Sequence, residues 1–201
     1  MGGVVVYIGY ENGMLRLRFD DFKTNDIKSI EYVSGKINIS NYAGYFYSLS
    51  FPDLSAAKLV FADGVTKNIK MSANTNSTIQ LFNTDEWIIG TNGADQFSTN
   101  NSGARVFGGA GDDIYIVNPS DKNIIITDYS GNNTLDLSGY NIEDIKISGS
   151  KAGLEINYSG NEKVTIEGSI QSYKFSDDKI LTQEEFLKDK DRSLLVYRLG
   201  I

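Results

Sequence analysis

The chain of 201 residues has no cysteine, no histidine and only two prolines. Without cysteine there are no disulfides and no thiolate metal sites, and without histidine there are no imidazole zinc sites and no Ser-His catalytic pairs. A metal bound here would be a hard cation held by oxygen atoms. The longest apolar run, residues 4–8, is far shorter than the roughly 20 residues of a membrane-spanning helix.

Basic residues are fewer than acidic ones, so the chain is net acidic. It has 26 acidic and 19 basic residues, a net charge of −7 and a pI of about 4.6. Such a balance repels nucleic acid and anionic lipid and favours cations, so we expect neither of those two partners. The first residues lack the basic and long apolar segments of a cleavable signal peptide, and we expect none.

No catalytic motif occurs in the sequence. GxSxG, HExxH and phosphate-binding glycine loops are all absent. Adjacent carboxylates occur at 20–21, 177–178 and 184–185, and the last two pairs suit a turn and the first turn of a helix. Carboxylate-based polysaccharide lyases and epimerases built on β-solenoids remain an alternative, but we expect this chain not to be an enzyme.

Short runs of alternating apolar and polar residues, separated by Gly, Asn, Asp and Ser, fill most of the chain. This alternation predicts half-buried strands, and turns about every 8–12 residues favour an all-β sandwich or solenoid. One helix is predicted from Thr182 to about residue 190, because Thr182 and Glu185 form a capping box. The apolar residues 191–201 predict a last strand.

Two segments with similar strand patterns flank a glycine-rich stretch and predict two related β units, at about 1–80 and 130–201. The similar pairs are 58–64 with 173–178, 26–30 with 144–147, and 36–39 with 164–166.

The glycine-rich stretch has a period of nine. Residues 90–116 can be written as the rows GTNGADQFS, TNNSGARVF and GGAGDDIYI. The columns align Phe97 with Val106 and Tyr115, Gly93 with Gly111, and Asp95 with Asp113. This is the nonapeptide GGxGxDxUx of calcium-binding β-solenoids. Glycine allows the left-handed backbone of a tight loop, the Asp supplies a carboxylate, and the apolar residue two places later packs inside the coil.

The period predicts a cation site between loops. If two rows make one turn of a coil, the first row stacks on the third, and one calcium ion fits between loops 90–95 and 108–113. A second site is predicted one turn later at 128–133, where Asn133 replaces the expected Asp and Asp128 compensates for the lost charge. The predicted ligands at these two sites are Gly90, Asn92, Asp95, Gly108, Ala110, Asp112, Asp113, Asp128, Ser130 and Asn133.

Two observations qualify this pattern. The middle row has Ser102 and Ala104 where Gly and Asp are expected, so the opposite edge of the coil should bind calcium poorly or not at all. The spacing from Tyr115 to Leu135 is two residues longer than eighteen. The alternative interpretation is a set of Asp-Gly and Asn-Gly turns in an ordinary β protein.

The repeat and the sequence after it resemble the RTX (repeats-in-toxin), or haemolysin-type calcium-binding, family over about residues 90–186. The resemblance implies an all-β fold, a short right-handed parallel β-roll with flanking antiparallel β units and one short C-terminal helix. The implied organisation is a divergent β flanking unit at 1–80, a calcium-binding β-roll at 81–138, and a C-terminal β cap at 139–201 with the helix and a secretion-signal region. The chain departs from the family in having only about three nonapeptides.

The resemblance also implies how such a protein works. Most family members are exported from Gram-negative bacteria by type I secretion machinery, stay unfolded at low cytosolic calcium, and fold outside the cell as secreted or surface toxins and adhesins. The leading hypothesis is therefore a module of a secreted or surface bacterial protein that folds on binding calcium outside the cell. The alternative is an adhesin, surface-layer or carbohydrate-binding module in which calcium only stabilises the fold. Its ligand surface would be the aromatic cluster of Tyr42, Tyr45, Phe46 and Tyr47, with the three tyrosines as binding residues. Core packing of these rings is the favoured interpretation.

Overall fold

The computed structural model describes residues 6–52, 54–71, 78–81, 86–99, 103–119, 121–149, 153–159 and 162–190. These residues are mostly in strands, with one short α-helix, so the predicted all-β class is confirmed. The strands are β1 Val6–Glu11, β2 Met14–Phe19, β3 Ile27–Val33, β4 Lys36–Asn41, β5 Phe46–Ser50, β6 Ala56–Val60, β7 Thr66–Met71, β8 Thr78–Leu81, β9 Glu86–Ile89, β10 Gln96–Thr99, β11 Arg105–Phe107, β12 Ile114–Ile116, β13 Ile124–Asp128, β14 Thr134–Leu137, β15 Lys146–Gly149, β16 Leu154–Ser159, β17 Glu162–Gly168, β18 Ser172–Phe175 and β19 Ile180–Thr182. The helix α1 is Gln183–Lys190.

The strands form three sheets. The large sheet has ten strands in the order β1-β2-β6-β7-β9-β11-β13-β17-β16-β15, and the second sheet has six in the order β19-β18-β14-β12-β10-β8. Strands β3, β4 and β5 form a separate antiparallel sheet. From β7 to β14, consecutive strands alternate between the two larger sheets, and each pairs in parallel with the strand two places along.

The predicted stacking of the first row on the third is confirmed. Phe97 pairs with Tyr115, eighteen residues later, and Tyr115 pairs with Leu135, twenty residues later. The rings of Phe97 and Tyr115 are stacked with centroids 5.2 Å apart. Val106 lies in the opposite sheet, where it is buried between Ile88 and Ile126. Both inward columns therefore face one core, and each fully buried apolar side chain stabilises it by about 1.5–3 kcal/mol.

The two additional residues between Tyr115 and Leu135 follow the third row and lie at one edge only. The connection from β12 to β13 spans residues 117–123, whereas the connection from β10 to β11 spans 100–104. On the other edge, loops 108–113 and 128–133 have the same length, because Phe107 pairs with Thr127 and Ile114 with Thr134. The change in spacing therefore leaves the predicted cation-binding loops in register.

The two flanking units share their order of elements. A 3₁₀ turn, a three-strand meander and a two-strand hairpin follow β2 in the first unit and β14 in the second. The hairpin turns match in detail, because Phe61 N donates to Val65 O and Phe175 N donates to Lys179 O. The units differ in that β3–β5 form their own sheet, whereas β15–β17 extend the large sheet.

The predicted helix and its cap are confirmed. Glu185 N donates to Thr182 Oγ1 at 3.3 Å, and Thr182 N donates to Glu185 Oε2 at 2.9 Å. The helix buries Phe186 and Leu187, and the Phe186 ring stacks on Tyr173 at 4.4 Å. The strand predicted at 191–201 lies outside the described residues.

Candidate functional site

Four loops that lead from the large sheet to the six-stranded sheet lie in a column, which we call the stacked edge: 90–95, 108–113, 128–133 and 169–171. The loops are in backbone contact at their glycines. A Cβ atom at Gly111 would lie 2.5 Å from Gly93 C, and one at Gly131 would lie 1.7 Å from Gly111 O. Gly111 and Gly131 also have positive φ. Only glycine meets both requirements, which explains its recurrence in the rows.

A chain of side-chain hydrogen bonds joins the loops. Asp95 N donates to Asp113 Oδ1 at 2.8 Å, and Asp113 N donates to Asn133 Oδ1 at 2.9 Å. Asn133 N donates to Gln171 Oε1 at 2.6 Å. We call these four residues the ladder. Each stands directly before a strand of the six-stranded sheet, so parallel pairing of the strands sets their spacing.

Two carboxylate oxygens of the ladder are buried without a hydrogen-bond partner, namely Asp95 Oδ1 and Asp113 Oδ2. Asp95 is 2% exposed and Asp113 is fully buried. The other oxygen of Asp95 accepts hydrogen bonds from Thr91 N at 2.6 Å and Thr91 Oγ1 at 2.9 Å. A buried anionic oxygen without a donor is unfavourable unless a proton or a cation neutralises it.

Asp128 brings a third carboxylate to this edge. It lies in register with Gly108, because Phe107 pairs with Thr127, and its side chain is buried. Tyr115 Oη donates to Asp128 Oδ2 at 2.5 Å. A Cβ atom at Gly108 would lie 2.3 Å from Asp128 Oδ2 and 2.7 Å from Asp113 Oδ2. Both carboxylates therefore occupy the space that the missing side chain of Gly108 leaves.

Burial changes the acidity of these groups. Burial raises the pKa of the Asp113 carboxyl to about 8, and the nearby charges of Asp128 and Asp95 act in the same direction. Burial also raises the pKa of Asp95 and of Asp128. Near neutral pH these three carboxylates are therefore stabilised by binding either protons or a cation.

The other predicted ligands all lie on the same loops. Gly90 and Gly108 are buried, and Asn92, Asp112 and Ser130 are exposed. Asp112 Oδ1 accepts a hydrogen bond from Asn132 N at 2.8 Å, so its side chain links two loops at the surface. Ala110 N donates to Thr91 O at 3.3 Å. The ten predicted residues thus share one edge, but only the carboxylates of Asp95, Asp113 and Asp128 are buried there.

Strands β8–β14, which alternate between the two larger sheets, are called the coil. At the edge of the coil opposite the stacked edge lies a buried carboxylate that has hydrogen-bond partners. Asp121 is 1% exposed and accepts hydrogen bonds from Asn118 N at 2.5 Å and from Thr99 Oγ1. The nonapeptide did not predict this residue, because it lies in the longer connection between β12 and β13. Ala104 is buried on this side, and Ser102 lies outside the described residues.

The aromatic cluster divides into two parts. Tyr42 and Tyr45 are 55% and 50% exposed and line a cleft of about 720 Å³, whereas Tyr47 packs edge-on against Phe22 at 5.3 Å. The other residues lining the cleft are Asp21, Phe22, Asn25, Asp26, Asn41 and Ala43. The sequence did not predict this combination of exposed rings, carboxylates and amides.

Comparison with known proteins adds no relationship, since no protein-family model and no curated protein sequence matches the chain. Among the described side chains, no three acidic groups converge as a metal-binding cluster. Within the same ranges, no helix has the length and apolar character to cross a membrane.

Proposed function

We propose that this chain is a calcium-binding β-roll module of the RTX or haemolysin type. The observation that carries the proposal is the pair of aligned aspartates, Asp95 and Asp113, each with one buried, unpaired oxygen. The alternation of parallel strands between two sheets, with a circuit of eighteen to twenty residues, supports the roll. The resemblance of the nonapeptide supports the choice of family.

The donor set fits calcium. The period predicts one cation shared by Asp95 and Asp113, but each of these aspartates has its own buried oxygen without a partner. We therefore propose one cation at each aspartate, held together with carbonyl groups of loops 90–95, 108–113 and 128–133. Asp128 adds a second carboxylate beside Asp113, whereas the exposed Asp112 contributes charge. Calcium accepts irregular sets of carboxylate and carbonyl oxygens, which magnesium, with its octahedral preference, does not. When bound, it supplies the positive charge that the buried carboxylates lack.

Binding of this kind makes folding depend on the cation. A ligand that binds only the folded state stabilises it by about 2.7 kcal/mol at a hundredfold excess over Kd. That is a large share of the roughly 5–15 kcal/mol typical of a folded protein. We propose that the module folds at extracellular calcium, after type I secretion, and the expected folding midpoint is about 10⁻⁴–10⁻³ M.

Calorimetric titration and thermal melting test the proposal. The wild-type protein should bind calcium and melt at a higher temperature in calcium than in chelator, with magnesium much less effective. Asp113→Ala should lose more of this gain than Asp95→Ala, because Asp113 contacts loop 90–95 through Oδ1 and lies beside Asp128. Asp121→Asn is the matched control on the opposite edge and should keep the full gain. Identical melting in calcium and chelator would contradict the proposal.

A second candidate function is carbohydrate binding at the cleft of Tyr42 and Tyr45. Exposed aromatic rings offer apolar faces for sugar rings, and the carboxylates and amides of Asp21, Asn25 and Asp26 can hydrogen-bond hydroxyl groups. In this case the calcium-bound edge would only stabilise the fold.

A glycan array followed by affinity measurement tests the second candidate. Tyr45→Ala should weaken binding at least tenfold, whereas Phe46→Ala should not. Phe46 is a matched control, because its ring is 64% exposed and does not line the cleft. Absence of any glycan signal, or equal losses for the two variants, would reject it.

A further inference from the structure

Asn133 occupies the ladder position that Asp95 and Asp113 occupy in the preceding loops, but it has different bonding. Its side chain is fully buried. Nδ2 donates to Ser130 O at 2.9 Å, within its own loop, and to Ser169 O at 3.4 Å, in the next loop. Oδ1 accepts from Asp113 N in the preceding loop. One amide therefore connects three successive loops.

The comparison with Asp113 is direct. Asp113 Oδ1 accepts from Asp95 N, as Asn133 Oδ1 accepts from Asp113 N. The second atom of each side chain differs, because Asp113 Oδ2 is an acceptor without a donor, whereas Asn133 Nδ2 is a donor with two carbonyl acceptors. The first arrangement needs an added positive charge, and the second is satisfied without one.

Gln171 continues the neutral arrangement. Its Oε1 accepts from Asn133 N, and its Nε2 donates to Ser169 Oγ at 3.0 Å. Asp128 and Asn133 align with Gly168 and Gln171, so this last loop is two residues shorter than the loop before it. The shorter loop still places the Ser169 carbonyl group against the Asn133 side chain, so an oxygen ligand is present on its side of the gap.

We propose that Asn133 ends the run of cation sites, because its amide takes the place of a cation between loops 128–133 and 169–171. This gap is metal-free, and Asn133, which the nonapeptide includes among the metal ligands, joins the loops by hydrogen bonds alone. The residue at the ladder position decides whether the gap that follows binds a cation. The inference rests on the proposed function only for the gaps that precede Asn133.

Exchanging the two residue types tests the inference. Calcium bound per chain is counted by native mass spectrometry and calorimetry, and melting is recorded in calcium and in chelator. Asn133→Asp should bind one more calcium ion than wild type and melt on the order of 5 °C lower in chelator, since the carbonyl groups of Ser130 and Ser169 lose their donor. Asp113→Asn should bind one ion fewer and melt no lower than wild type in chelator.

The matched control is Asn132→Asp. It adds the same charge to the same loop, but residue 132 is exposed and outside the ladder. This variant should leave the ion count and the melting temperature in chelator unchanged. An unchanged ion count for Asn133→Asp, or an increase in count for the control, would overturn the inference.

Asn133→Ala keeps the inference testable if Asn133→Asp does not fold. It should lower the melting temperature equally in calcium and in chelator and leave the ion count unchanged, and a lower count would make Asn133 a ligand and overturn the inference. Failure of the proposed function has a different signature, because the wild type itself would then bind no calcium. The loss of stability of Asn133→Ala in chelator would still decide whether the amide joins the loops.

Discussion

At the scale of single residues, the stacked edge depends on which side chain stands at two aligned positions. The first position is Gly90, Gly108 and Gly168 in three of the loops and Asp128 in the other. The Asp128 side chain fills the space beside Gly108 and accepts a hydrogen bond from the Tyr115 hydroxyl. The second position is the ladder, which has carboxylates in the first two loops and amides, Asn133 and Gln171, in the last two. The buried carboxylates therefore lie on the first three loops, and the last loop is neutral.

The raised pKa of Asp113 predicts an unusual pH dependence in the absence of cations. Burial raises the pKa of the Asp113 carboxyl from its ordinary value of 3.8 to about 8, so between these pH values the folded state binds more protons than the unfolded state. The stability of the cation-free protein should consequently fall as pH rises from about 4 to about 8. Melting in chelator across this range measures the effect.

Asp113→Asn is the control for this prediction, because it removes the titrating carboxyl and keeps the size of the side chain. Its stability in chelator should depend less steeply on pH, and saturating calcium should flatten the profile of the wild type. A wild-type profile in chelator that is level or rises over this range would show that the carboxyl is ionised in the folded protein.

At the scale of elements, regular features were predictable and irregular ones were not. The capping box of the helix and the pairing of Phe97 with Tyr115 follow from local sequence signals. The fourth ladder member was not predictable, because β15, β16 and β17 separate Gln171 from Asn133 by 38 residues and no period links them. One hydrogen bond of the Asn133 side-chain amide is to Ser169 O. Ser169 lies at the stacked edge only because β17 pairs with β13 and β18 with β14.

Close backbone stacking of the loops predicts that Gly111→Ala is strongly destabilising. Gly111 has a φ of 110°, and a Cβ atom there would lie 2.5 Å from Gly93 C, a backbone atom that cannot move without shifting the loop. Gly64→Ala is the matched control, because Gly64 has a φ of 80° but open space around it. The control should lose only the conformational cost of about 1–2 kcal/mol. Urea unfolding should show a clearly larger loss for Gly111→Ala, and equal losses would contradict the stacking.

At the scale of the whole molecule, the coil lies between two units with the same order of elements. The run β14–β19 repeats the order of β2–β7, including the parallel pairing of β14 with β18 and of β2 with β6. Sequence similarity predicted related units, but it did not predict that β3–β5 would leave the large sheet. The separate sheet contacts the coil through β3, and Arg105 makes one of these contacts.

Arg105 joins the coil to the separate sheet and is nearly buried. Its Nη2 donates to Glu167 Oε2 at 2.5 Å and to Ile27 O at 3.3 Å, and its guanidinium lies over the rings of Trp87 and Phe107 at 5.3 Å and 4.8 Å. Thr127 Oγ1 also donates to Glu167 Oε2 at 2.9 Å. The guanidinium group of this one arginine thus links β3, β9, β11 and β17.

Glu167→Gln should therefore destabilise the whole molecule by about 3–5 kcal/mol, since it leaves a buried guanidinium without its counter-charge. Glu155→Gln is the matched control, because the Lys163–Glu155 pair is more exposed and should contribute about 0–1 kcal/mol. Unfolding followed by the fluorescence of Trp87 and by circular dichroism measures both. Because Arg105 contacts both the separate sheet and the coil, the unfolding midpoints from Trp87 fluorescence and from circular dichroism should decrease by the same amount for Glu167→Gln. A loss no larger than that of the control would mean that the guanidinium is hydrated in solution.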